Sequence, residues 1–284
     1  FYRAITWNHY RFLEVDREDR IMRYAGSEDH VTLRKNGQLS DLACLISKDV
    51  FTKYNYRTDY GEDLDLGLRL IKHGYQIAFL GSTRIIHSHN RPAYYYLKRG
   101  YVENVFLPRI FSDYPTVGNN LERAIPDVLL THQVIKSMVD EKTWDLQFPC
   151  KTTEFSNRIM EKFQAAAEAP PLVSTQTVDG HLFDIEFQDF LGRLVKDYSV
   201  ASSDARLGNG YLSEAVRNFT KMILAYMENA YELVDDHVAG EFRLSLYKTF
   251  AYQCGTMLAQ CSLRNDDVDR RKLEQIDGEL TRGV

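Results

Sequence analysis

Two rhythms of apolar and polar positions run along this chain of 284 residues, and they change near residue 115. Leu42-Ala43-Cys44-Leu45-Ile46 is short and continuously apolar, which predicts a buried strand. Ser47-Lys48-Asp49-Val50-Phe51 then reads as a turn entering a short helix. Residues 62–73 carry a helical pattern. Asp65, Arg69 and Lys72 recur at i, i+4 and i+7 as one polar stripe, and Leu64, Leu66, Leu68, Leu70 and Ile71 cover the rest. Such a helix should be largely buried, with Asp65 and Arg69 paired along the stripe and Gly74 ending it. Tyr75 to Leu80 reads as a strand, Gly81-Ser82 as a turn, and Thr83 to His89 as a second extended segment. Period two places Ile85, His87 and His89 on one face of that segment. Pro92 and Tyr94-Tyr95-Tyr96 open a helix running toward Phe111.

From about Gly118 onward the pattern is helical, with candidate helices over 119–141, 153–168, 181–198, 210–236, 240–262 and 266–281. Pro170-Pro171 and the Ser/Asp/Gly stretch 199–210 mark loops. No repeat of solenoid length is visible. The expected organisation is therefore an α/β element over 1–115 followed by an all-α extension over 116–284.

Hydrophobic content of 44% and charged content of 26% are those of a folded globular protein. A net charge of -5 argues against a nucleic-acid partner, which a basic face would serve. Cys44, Cys150, Cys254 and Cys261 form no CxxC and suit a reducing compartment, and Cys254 and Cys261, seven apart on one face of a candidate helix, read as buried thiols. No apolar run approaches the roughly 18 residues of a membrane span. These features predict a cytoplasmic protein, with at most peripheral contact at the inner face of a membrane. The opening Phe1 in place of methionine predicts a fragment or processed product.

The chemistry concentrates in Gly61-Glu62-Asp63 and His87-Ser88-His89-Asn90. Two carboxylates at a helix N-terminus are favoured by the dipole and the unpaired N–H groups there, which explains them without any function. The functional alternative makes one of them a general base on a hydroxyl, since neighbouring acids raise one another's pKa while the helix end lowers it. The sequence leaves both open. Two histidines on one strand face suit a divalent ion, with carboxylates as the hard ligands. Tyr94, Tyr95, Tyr96 and Tyr101 favour helix packing over sugar stacking, and Arg91, Lys98 and Arg99 favour solvent over phosphate. Asp16-Arg17-Glu18-Asp19 reads as a solvated loop or helix face.

Taken together, Gly61-Glu62-Asp63-Leu64-Asp65-Leu66-Gly67-Leu68-Arg69-Leu70, Lys72-His73-Gly74-Tyr75 and Ile86-His87-Ser88-His89-Asn90 resemble the second half of a glycosyltransferase family 2 catalytic domain. These are inverting enzymes of the GT-A fold, similar to bacterial rhamnosyltransferases. The resemblance covers roughly residues 40–110 and rests on three motifs in order. It implies that Asp63 is the catalytic base, that Glu62 beside it shapes the acceptor site, and that His87, with His89 as the weaker candidate, joins a Mn²⁺ or Mg²⁺ and diphosphate site. Asp41 would line the acceptor pocket where the family commonly has Asn. Arg91 is a substrate-binding candidate from its own charge, for a phosphate of the donor or of a lipid-linked acceptor, and not from the resemblance.

The implied reaction moves a sugar from a nucleotide-sugar donor to a hydroxyl of a glycan or lipid-linked acceptor. The donor-binding half with its DxD element would precede residue 1. The helical extension would support a homo-oligomer, dock a partner protein or position the acceptor. Two rival readings stand beside this one: a non-catalytic helical interaction module carrying a degenerate transferase remnant, and a metal-dependent hydrolase using His87, His89 and Asp63.

Overall fold

The computed structural model describes residues 19–40, 43–82, 91–116, 120–140, 161–162, 165, 185–198, 236–263 and 270–284. These fall into two compact units. One holds the described residues within His9–Asn90 and Val102–Thr116, the other those within Arg91–Tyr101 and Val117–Val284. The chain therefore passes from one unit to the other inside a single helix, upstream of the change of rhythm in the sequence.

In the first unit, β1 (Arg20–Met22) pairs antiparallel with β2 (Ile77–Phe79), in the register Arg20 to Phe79 and Met22 to Ile77. Met22 and Ile77 are buried, whereas Ile21 is exposed, as period two requires. This two-stranded ribbon is the only sheet among the described residues, and it singles out no particular α/β fold. Helix α1 (His30–Gly37) begins at Asp29, whose side chain accepts from the Thr32 N–H. Helix α2 (Lys48–Tyr54) begins at Ser47, which accepts from the Val50 N–H.

Helix α3 (Glu62–Lys72) is the centre of this unit. Leu64, Leu68 and Ile71 pack with Met22, Leu33, Ile77, Leu107 and Phe111. Leu66 and Leu70 pack on another side with Tyr54, and Ile46, Val50 and Tyr75 close that cluster. Each buried leucine contributes about 1.5–3 kcal/mol of apolar transfer. The helix ends as the sequence predicts. Gly74 takes φ +85°, its N–H donates to Ile71 O at 3.0 Å, and the Tyr75 N–H donates to Leu70 O at 3.0 Å. The segment 42–46 differs from expectation. Ala43–Ile46 form no strand, and Cys44 and Leu45 are exposed. An apolar run needs a neighbouring layer to become a strand, and only Ile46 finds one.

The approach of α1 to α3 is set by glycine. A Cβ on Gly67 would lie 1.8 Å from Gly37 O, so the two helix backbones touch directly. Arg34 on α1 also donates to Glu103 at 3.5 Å, a buried pair to α4 (Ala93–Ile110).

In the second unit, the first half of α4 meets α7 (Asp236–Ser262), and glycine again permits the approach. A Cβ on Gly100 would lie 2.1 Å from Tyr252 O, and one on Gly255 would lie 1.9 Å from Leu97 O. Helix α5 (Leu121–Asp140) packs on α7 and on α6 (Ile185–Tyr198). The last helix, α8 (Arg270–Leu280), is tied down by tyrosines: Tyr94 Oη donates to Glu279 at 2.7 Å and Tyr101 Oη to Asp277 at 3.1 Å. Burial raises both phenol pKa values, and the facing carboxylates add to the effect. The candidate helices over 153–168 and 210–236 lie largely outside the described residues. Among those described, no helix is long and apolar enough to cross a membrane.

Two outcomes follow from this packing. Gly67→Ala should force the α1 and α3 backbones apart and destabilise the protein by about 1–3 kcal/mol or more, read from chemical denaturation. The substitution leaving the midpoint unchanged would contradict the backbone contact. Burial pushes the Cys254 thiol up to about 12, whereas Cys44 is exposed. Iodoacetamide on the native protein, followed by peptide mass spectrometry, should therefore modify Cys44 and spare Cys254 and Cys261.

Candidate acidic site at the start of α3

The acidic pair sits where the chain turns sharply into α3. Gly61 has φ 63° and ψ 26°, the left-handed region, and provides no side-chain cap. A Cβ there would also fall 2.2 Å from Cε1 of Phe106. Glycine is thus required twice, by the backbone angle and by the phenyl ring. Tyr60 packs edge-on against the same ring, with centroids 5.8 Å apart. The Thr58 hydroxyl donates to Tyr60 O at 3.0 Å, which fixes the approach to the turn.

Glu62, Asp63 and Asp65 occupy the first turn of α3, where the exposed N–H groups favour negative charge. They have separate roles. Asp65 Oδ2 accepts from Arg69 Nε at 2.8 Å, the pairing that the stripe predicts. Asp63 Oδ1 accepts from the Leu64 N–H at 2.7 Å, a contact that orients the carboxylate at the helix start. Glu62 and Asp63 are both half-buried. A half-buried carboxylate held by a backbone N–H is pre-oriented, and a general base must in addition lie within hydrogen-bond reach of the proton it takes.

Arg69 does more than pair with Asp65. Only 9% exposed, its guanidinium also donates to Tyr54 O through Nη1 and to Asn55 O through Nη2, the latter at 2.6 Å. Those carbonyls belong to a strained corner. Asn55 has φ 36° and ψ 168°, and among the described residues it alone has positive φ without being glycine. Such a conformation costs about 1–3 kcal/mol and persists only where the surroundings impose it. Here they are the two Arg69 bonds and the Asn55 N–H donating to Phe51 O at 2.7 Å.

The structure brings Glu62 and Asp63 together. Asp41, His87 and His89 lie outside the described residues. Arg91 is exposed, belongs to the second unit, and lies 5.5 Å from the Tyr95 ring centroid. Of the other residues weighed for chemistry, Tyr96 and Tyr101 are buried in helix packing, and Lys98 donates to Arg282 O. Asp19 is exposed and accepts from the Ser82 N–H at 2.9 Å. Among the described residues no group of three His, Cys, Asp or Glu side chains could hold a metal ion. The acidic pair does not make a divalent-ion site by itself.

One polar cluster escaped sequence reasoning. His30 donates its backbone N–H to Asp113 at 3.0 Å, and its Nδ1 lies 2.9 Å from Asp113 Oδ2. The partners are 83 residues apart, so no local pattern could reveal them. Asp29 next to His30 is the cap of α1. The Ser27 hydroxyl and then the Thr32 N–H hold the Asp29 carboxyl down at about 2. The His30 backbone N–H, followed by the His30 ring, holds Asp113 below the usual carboxylate range.

Both carboxyls are depressed in the folded state. The stability they contribute is therefore complete above the ordinary value of about 4 and is lost as pH falls toward the folded values. Carboxyl NMR titration should place Asp29 at about 2 and Asp113 below the ordinary carboxylate value. An Asp29 midpoint at the ordinary value would show that its cap is not formed. The chain matches no protein-family model, no curated protein and no solved structure.

Proposed function

We propose that this chain is the acceptor-side portion of an inverting glycosyltransferase of GT-A type, joined to a helical extension. The observation that carries the reading is Asp63: half-buried, pre-oriented by the Leu64 N–H, and placed just after Gly61, which turns the chain through the left-handed region beneath Phe106. In this reading Asp63 accepts the proton of the acceptor hydroxyl as that oxygen attacks the anomeric carbon of a nucleotide-sugar donor. The nucleoside diphosphate leaves from the opposite face, so the anomeric configuration inverts. Glu62 borders the acceptor site. The acceptor is a glycan or lipid-linked hydroxyl, and Asp41 is a candidate contact.

A Mn²⁺ or Mg²⁺ belongs to the same proposal, with His87 and His89 as candidate ligands, and would supply positive charge to the leaving diphosphate. The described carboxylates do not complete such a site, and the role given to Asp63 does not depend on it. The helical extension contributes oligomerisation or a partner contact.

A second reading is favoured by one feature. The bond from the Leu64 N–H to Asp63 is also what a first-turn carboxylate makes when its only role is to stabilise the helix. In that case the protein is an interaction module without transferase activity.

The two readings separate in a transfer assay on the full-length protein, using a panel of nucleotide sugars. Asp63→Asn should lower transfer by about 10²–10⁴-fold with little change in melting temperature, while Glu62→Gln should have a smaller effect. Unchanged transfer in Asp63→Asn, or no turnover of any donor by the wild type, would sink the catalytic reading.

A further inference from the structure

The corner held by Arg69 carries an unassigned feature. Phe51 and Tyr56 flank the strained Asn55, and their rings meet edge to face, 5.3 Å between centroids and 82° between planes. Both remain open to solvent, at 37% and 42% exposure. Two large aromatic rings on the surface, with a conformationally costly residue fixed between them, are more than hydrophobic packing requires. Packing would bury the rings, and an unconstrained chain would relax Asn55 into an allowed region. The geometry is imposed from inside by a buried guanidinium whose donors go to Asp65, Tyr54 O and Asn55 O.

We propose that Phe51, Tyr56 and the Asn55 corner form a carbohydrate-stacking subsite, with Arg69 as the positioning residue behind it. A pyranose ring presents a face of C–H groups bordered by hydroxyls. An aromatic face receives the C–H groups, because its quadrupole is negative above the ring. The Asn55 amide carries both donors and an acceptor, which matches hydroxyls that do both. The choice of a sugar as ligand rests on the transferase reading, in which this subsite would take a residue of the acceptor glycan. The stacking itself needs no catalysis. Loop residues 55–61 connect the corner directly to Gly61 and the acidic pair, so α3 carries both the candidate base and the arginine that shapes the subsite.

Saturation-transfer difference NMR on the full chain, with cellotetraose and chitotetraose as probes, tests this. Saturation should reach the sugar C–H protons, and Phe51→Ala and Tyr56→Ala should each weaken binding by about tenfold or more while the circular dichroism spectrum is unchanged. Arg69→Lys should weaken it too, because an ammonium cannot span two carbonyls and a carboxylate as the planar guanidinium does. Asn55→Gly guards against a folding artefact. It removes the amide and the strain together, and should raise the melting temperature while weakening binding.

Full binding in folded Phe51→Ala and Tyr56→Ala, or no saturation of either probe by the wild type, overturns the proposal. Sedimentation with anionic vesicles that depends on these two rings, without oligosaccharide binding, overturns it in favour of a lipid surface. Failure of the transferase reading is separable. Ring-dependent saturation without donor turnover keeps the subsite and removes the transfer, whereas turnover without saturation does the reverse.

Discussion

The first unit depends on how closely α1 and α3 approach each other. With Gly67 against the carbonyl of Gly37, the two backbones meet without any side chain between them. That closeness lets a helix of eleven residues bury leucines on more than one side. Leu64, Leu68 and Ile71 then reach the ribbon and the end of α4, while Leu66 and Leu70 reach Tyr54. A wider crossing would expose one of these sets and leave the ribbon, marginal as two strands alone, without a covering layer. Helices α4 and α7 meet in the same way through Gly100 and Gly255. Each unit thus exchanges the helix propensity of glycine for backbone contact.

Once α3 is buried, its polar stripe has to be satisfied internally. Arg69 cannot remain charged in an apolar setting without acceptors, and it finds Asp65 and two main-chain carbonyls. A buried ion pair of this kind is weak evidence for stability, because desolvation offsets most of the attraction. Its consequence is conformational: it selects one geometry for the chain entering α3. Asp65 is committed to that network, which separates it chemically from Glu62 and Asp63 earlier in the same turn. The candidate base and the strained corner are both products of a single helix being buried.

The second unit uses its aromatic residues differently. Tyr94 and Tyr101 combine buried rings with hydroxyls that hold α8 through Glu279 and Asp277. The His132 ring packs against Phe187 and Tyr247 at 5.6 and 6.4 Å. Histidine and tyrosine here behave as large hydrophobes with polar ends, which suits packing between the helices of this unit.

Local physical chemistry made much of this legible in the sequence. The period of the leucines gave α3, Ser47 gave the start of α2, Gly74 gave the stop, and the i, i+4 spacing gave the Asp65–Arg69 pair. Each depends on residues within one or two turns of each other, where chain geometry leaves little choice. The run 42–46 misled because its burial depends on a neighbour that the sequence does not specify. Tertiary structure alone decided that Gly67 meets Gly37, that Gly61 lies under Phe106, that His30 meets Asp113, and that Arg69 reaches back to Asn55. These contacts join segments separated by 14 to 83 residues, and their energy exists only after the chain between them has been ordered. The sequence determined by itself that two carboxylates stand at the start of a helix; what surrounds them, and so what they can do, was decided by packing.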